Sequence, residues 1–187
     1  MDRSPRSAHA DLLLERYRTL LDISESIARL VDVGAVVHDL AHRLSRVAHV
    51  HVVGLSLHNP ERGVMRLHTI QANVPADVVG GHEWPVADCP DGWVWDTGQP
   101  LLIPDLGREH RWPKVIPLMQ EDDTQSLCVV PLTTGVRKLG ALGFGSLQKE
   151  AYGEADVEFL LQVGKQIAVP PTFLCSFAIS SSSTPPV

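Results

Sequence analysis

The sequence predicts an α+β fold: an antiparallel sheet of five to six strands, N- and C-terminal helices packed on one face, and a cover of loop and short helix on the other. Three observations carry this expectation. Helical apolar periodicity marks both ends of the chain. Short β-rich runs bounded by turn residues fill the middle. The stretch from Ser126 to Ser146 reads as a hairpin, with apolar runs on either side of a polar, glycine-containing break. Charge is nearly absent from those two runs, which predicts central strands with at least one face well covered. Gly140, Gly143 and Gly145 leave no side chain in the second run, so something packs or binds close to the backbone there. Pro131 donates nothing to a ladder and is expected at its strand's end.

Taken in order, Leu13, Tyr17, Leu20, Ser24, Ile27 and Val31 recur at helical spacing and predict an amphipathic helix over about 11–30. Asp32 is placed to cap a second helix, whose stripe runs from Val33 to Val47. His51 to His58 alternates as a strand, Asn59 to Gly63 is a turn by composition, and Val64 to Ile70 is the returning strand. Residues 71–81 are irregular, and Trp84 to Val86 is a short edge strand. Asp88 or Cys89 caps a short helix from Pro90 to Thr97, ended by Gly98. Leu101 to Ile103 is a strand. Residues 106–123 are loop-like, with one helical turn around Lys114 to Met119. After the hairpin, Glu154 and Asp156 open the last helix at its positive end, and Pro170-Pro171 closes it.

Composition narrows the function. The 187 residues suffice for one domain with a sizeable core, and 44% hydrophobic with 20% charged content is that of an ordinary globular protein. A net charge of -6 and no basic stripe argue against direct nucleic-acid binding. Three cysteines, Cys89, Cys128 and Cys175, do not make a disulfide framework and fit a reducing cytoplasm. No signal core opens the chain, and no apolar run has the length of a membrane helix. His38 and His42 mimic a zinc-protease spacing, but the general-base Glu and a third ligand are missing, so no metal is expected. There is no phosphate-binding loop and no helix-turn-helix, and no cofactor is expected.

Two segments, SLCVVPLTTGVRKLGALGFGS and YGEADVEFLLQVGKQIA, resemble the last hairpin and last helix of a GAF domain. NPERGVMRLH is similar to the first hairpin of the same fold. The nearest resemblance is to the N-terminal sensor domain of transcriptional regulators of the formate-hydrogenlyase-activator type, which act with the nitrogen-type sigma factor. It covers about residues 12–169 and implies a GAF/PAS-like sheet. The resulting division is a disordered N-terminus over 1–10, a sensor domain over 11–169 and a disordered Pro/Ser-rich tail over 170–187. In that family the final helix runs on to an output domain. The tail here departs from the pattern, as a truncation or an altered reading frame would.

All four tryptophans, Trp84, Trp93, Trp95 and Trp112, fall in one segment. They predict either an aromatic-lined pocket under the cover or the core of the cover itself. GWVWDTGQPLLIPDL resembles the family's pocket-forming segment, which implies that Trp93, Leu102 and Asp105 lie near a ligand. Trp84 and Trp112 belong to the same expected site, with Leu127 and Val129 contributing from the sheet. Arg108 and Arg111 are suited to a small anion such as a carboxylate, against the plainer reading of a solvated loop. The expected function is a cytoplasmic, non-enzymatic small-molecule sensor, forming a homodimer through its terminal helices. The alternatives are a GAF-like free methionine sulfoxide reductase using Cys89 and Cys128, a bilin or haem photosensor, and a ligand-free dimerisation module.

Overall fold

The structure is a computed structural model that describes residues 11, 13–20, 42–44, 48–71, 81–135 and 137–168. The termini expected to be disordered, most of the second expected helix, His38 and Cys175 lie outside the described residues.

Six strands form one antiparallel sheet: β1 (Val52–Asn59), β2 (Val64–Gln71), β3 (Glu83–Pro85), β4 (Leu101–Ile103), β5 (Ser126–Thr133) and β6 (Lys138–Ser146). Their order is β3-β2-β1-β6-β5-β4, so β1, β6 and β5 are interior and the hairpin β5–β6 is central. Three helices are labelled here: α1 (Pro90–Thr97), α2 (Ile116–Glu121) and α3 (Glu154–Ala168). Residues 13–20 and 42–44 are also helical.

The period of two along each strand sorts the apolar side chains into two layers. Val53 and Leu55 of β1, Cys128 and Val130 of β5, and Leu142 and Phe144 of β6 join Leu160, Val163 and Ile167 of α3 in one core. Leu127, Val129 and Ala141 face the other way and join Val94, Leu106, Trp112 and Val115 beneath the cover. The terminal helices therefore occupy one face and the short elements the other, as the apolar patterns predict. Arg16 of the N-terminal helical segment pairs with Asp156 of α3 and lies 5.3 Å from the centre of the Phe159 ring, tying the two ends together. Helix α3 approaches the sheet at Gly164, where a Cβ would lie 3.1 Å from Val130 and 3.3 Å from the Pro131 carbonyl oxygen.

Two local expectations are refined. Cys89, not Asp88, caps α1: its Sγ accepts from the Gly92 N–H at 3.3 Å, and Gly98 ends the helix with φ of 70°. Pro131 lies inside β5 and not at its end. The pairing with β4 reaches only Val129, so at Pro131 one edge of β5 carries no ladder and needs no donor.

Candidate functional site

A cavity of about 260 Å³ lies between the sheet and its cover. Its floor follows from glycine placement. Gly54 of β1 pairs with Gly143 of β6, and Gly145 lies two residues on, on the same face. A Cβ on Gly143 would meet nothing closer than 3.8 Å. Gly140 in the same strand is different: a Cβ there would sit 1.9 Å from the Ser56 carbonyl oxygen. Gly140 thus serves close strand packing and Gly143 leaves room above the sheet, while a Cβ on Gly145 would already lie 3.0 Å from the Thr124 side chain. Leu127 and Val129 flank the floor from β5, while Trp84, Val115 and Met119 form walls from the cover. Exposed His82, Glu121 and Asp122 also line the cavity and mark its mouth.

Asp91 is the buried ionisable group of this site among the described residues, with buried Thr124 also in its lining. It occupies the first turn of α1, three residues before Val94 and on the same helix face, and is only 7% exposed. Its Oδ1 lies 3.8 Å from where a Gly143 Cβ would be. Burial pushes its carboxyl up to about 6, against a weaker opposing hydrogen bond from the Ser56 side chain. No lysine or arginine lines the cavity among the described residues. The sequence reading assigned Asp91 no role. Its signal was an acid sharing a helical face with an apolar residue, with no basic residue within a turn.

The expected site residues divide. Trp84, Leu127 and Val129 line the cavity. The other six do not, each for a physical reason. Leu102 pairs with Cys128, which faces the terminal helices; it therefore points away from the cover and is 37% exposed. Asp105 caps a 3-10 turn through the Gly107 N–H and accepts from Lys149 Nζ at 3.0 Å, which holds its carboxyl below the usual range. Arg108 is exposed, 3.6 Å from that carboxylate. Arg111 donates to both oxygens of Glu109 and lies 4.4 Å from the centre of the Trp112 ring. The arginines on which a small-anion site was expected are thus spent on neighbouring acids, outside the cavity. Trp112 is buried in the core of the cover, and Trp93 packs at that core's margin. Trp95 stacks on His58 at 3.8 Å. The indole-rich roof is therefore mostly structural, with Trp84 alone of the four meeting the cavity.

Both described thiols are buried away from this space. Cys89 belongs to the core beneath the cover and Cys128 to the core beneath the terminal helices, on opposite faces of the sheet. Burial pushes each thiol up to about 12. The described residues hold no group of three metal-ligating side chains, and no described helix is long and apolar enough to cross a membrane.

A family model described as GAF domain matches residues 27–169. Among curated proteins none matches significantly. Many solved structures do, at low identity. The GAF domain of a phosphoenolpyruvate-protein phosphotransferase from Coxiella burnetii superposes with a TM-score of 0.74 at 16% identity, covering 90% of this chain and 98% of that one. The corresponding domain from Acinetobacter gives 0.70 at 16% identity, over 89% and 97%. A free methionine-R-sulfoxide reductase from Neisseria meningitidis gives 0.69 at 19% identity, over 96% of each chain. At these identities the likeness is one of fold.

Proposed function

The chain belongs to the GAF domain family, and on that premise we propose that it is a small-molecule-sensing module of a signal-transduction or transcriptional regulator. The observation that carries this reading is the cavity itself. A sheet whose central strands present glycines under a cover leaves about 260 Å³, walled mainly by apolar side chains and holding one buried carboxylate. A module built only to dimerise gains nothing from that space. The sensor domain of formate-hydrogenlyase-activator type regulators remains the resemblance that motivates the transcriptional reading, and a cytoplasmic setting suits it.

The free methionine sulfoxide reductase has a solved relative of the same fold, but the thiols here speak for binding over catalysis. A resolving cysteine must reach the attacking one, and disulfide geometry allows Cα atoms about 4.4–6.8 Å apart. Here the sheet stands between Cys89 and Cys128, and neither lines the cavity. The proposed output surface is the terminal helix pair. Leu14 and Tyr17 are 56% and 67% exposed on the N-terminal segment, an apolar face suited to a second copy of the chain.

Thermal melting of the purified protein against a broad metabolite library, with mass spectrometry of whatever co-purifies, tests the sensing reading. A compound that raises the melting temperature and quenches Trp84 emission is the expected result. Complete indifference to the library, with nothing co-purifying, overturns it.

A further inference from the structure

We infer that the cavity selects a small organic cation, a compact amine whose ammonium group is held by Asp91. This rests on the sensing reading and names the class of ligand within it.

The lining residues are chemically one-sided. Among the described residues one ionisable group stands deep in the space, the Asp91 carboxylate, with Ser56 of β1 as its hydrogen-bond partner and open room above Gly143. At the mouth stand two further acids, Glu121 and Asp122, and one imidazole, His82. Cys89, packed behind Asp91, is held as a neutral thiol by burial. An anion entering this site meets up to three carboxylates and no guanidinium or ammonium group among the described residues. A cation meets a buried acceptor that carries the charge and, among the described residues, has no counterion. Burial removes water from that carboxylate, so a charge-assisted hydrogen bond to it is worth more than one at the surface. The apolar wall, which includes an indole from Trp84, suits the hydrocarbon body of an amine and the polarised CH groups next to its nitrogen. A bare metal ion is a poor match, because the described residues bring no three ligating groups together. The space, about 260 Å³, suits a compact guest.

Three probes sharing one skeleton separate charge from shape: 2-phenylethylamine, 2-phenylethanol and phenylacetate, titrated calorimetrically into the full chain at pH 7.5. The amine should bind at least about tenfold more tightly than the alcohol, with the carboxylate weakest. Asp91→Asn keeps the shape and removes the charge, and should weaken the amine at least about thirtyfold while leaving the alcohol within about twofold. Gly143→Ala adds a methyl group over the floor at ordinary contact distance, and should weaken the amine without changing the far-UV circular dichroism. Glu121→Gln, at the mouth, should cost the amine less than about threefold. Amine affinity should fall as Asp91 takes up a proton near pH 6. Tighter binding of phenylacetate, an Asp91→Asn variant that holds the amine unchanged, or no binding by any probe overturns the inference. The first two outcomes leave the sensing reading standing, since a guest still binds in the cavity or elsewhere on the fold. The third leaves that reading to the library screen.

Discussion

Replacing Asp91 by Asn should stabilise the ligand-free protein at neutral pH and have only a small effect at pH 4. The folded carboxyl lies at about 6, raised from the ordinary 3.8 chiefly by burial. A raised carboxyl means that the folded state holds the proton more tightly than the unfolded chain. The penalty is therefore fully present well above pH 6, shrinks as pH falls through 6, and is gone only well below 3.8, where both states are protonated. The interval from 3.8 to about 6 corresponds to about 3 kcal/mol at most. Asparagine keeps an acceptor for Ser56 but loses the favourable charge at the helix start, worth about 0.3–1 kcal/mol. The net expected gain is about 2–3 kcal/mol at pH 7.5, or about 5–10 °C in melting temperature for a domain of this size.

The assay is thermal unfolding of wild type and Asp91→Asn from pH 4 to pH 8. Every other titrating group is common to both proteins and cancels in the difference. The two melting temperatures should converge towards pH 4 and separate with Asn higher as pH rises through 6. A variant that melts lower than wild type at pH 7.5 would refute the reasoning, and so would an offset that does not vary with pH. Either result would mean that the ionised carboxylate is compensated in the folded state, leaving no unsatisfied charge for a ligand to meet. Saturating 2-phenylethylamine should narrow or reverse the order at pH 7.5, because it stabilises only the protein that retains the acid.

The structure gives four further expectations. Gly140→Ala should cost about 3 kcal/mol or more in urea unfolding, because its Cβ would meet backbone at 1.9 Å; Gly143→Ala, three residues along, should stay within about 1 kcal/mol of wild type. In a Cys175→Ser background the native protein should react slowly with Ellman's reagent at pH 8, since Cys89 and Cys128 are buried and held protonated, and both should react at once in guanidinium. Trp84→Phe should abolish a ligand-dependent change in emission that Trp95→Phe leaves intact, read by fluorescence titration. The proposed dimer predicts that Tyr17→Arg halves the mass measured by light scattering without lowering the melting temperature, as Tyr17 is 67% exposed in one chain.

The architecture was legible because it is written in two periods. Helical spacing gave α3 and the N-terminal segment, and alternation with turn chemistry gave the strands, the α1 start at Pro90 and its stop at Gly98. The glycine run also announced the floor of the cavity, although nothing in it distinguishes Gly140, which packs, from Gly143, which leaves space. That difference depends on which face each takes against β1. Leu102 shows the limit of motif reasoning. It sits in the pocket-forming segment, yet pairing with Cys128 turns it to the other face. Arg108 and Arg111 looked available because their acids, Asp105 and Glu109, carry no mark in sequence that they are already partners. The wall from α2 was hardest to see. Six residues with proline in the first turn have no strong apolar stripe, so the position of Leu118, Met119, Glu121 and Asp122 is set by tertiary packing.

Alternation also shows how occupancy of the cavity would reach the terminal helices. On β5 the residues that face the guest, Leu127 and Val129, are separated by Cys128 and followed by Val130, which face α3. The helix meets this strand without a side chain at Gly164, so its backbone rests almost directly on Val130 and the Pro131 carbonyl. Close-packed layers transmit a shift of a few tenths of an ångström because they have no void to absorb it. A guest that pushes Val129 would therefore act on α3 through β5, which meets the helix at Gly164. The Arg16–Asp156 pair links α3 in turn to the N-terminal segment. Such a shift has consequences only if the guest binds two arrangements of this stack with different affinity. Enlarging Gly164 to Ala should then alter the helix contact and the ligand affinity together, whereas a change confined to the cover, such as Glu121→Gln, should leave the helix contact untouched.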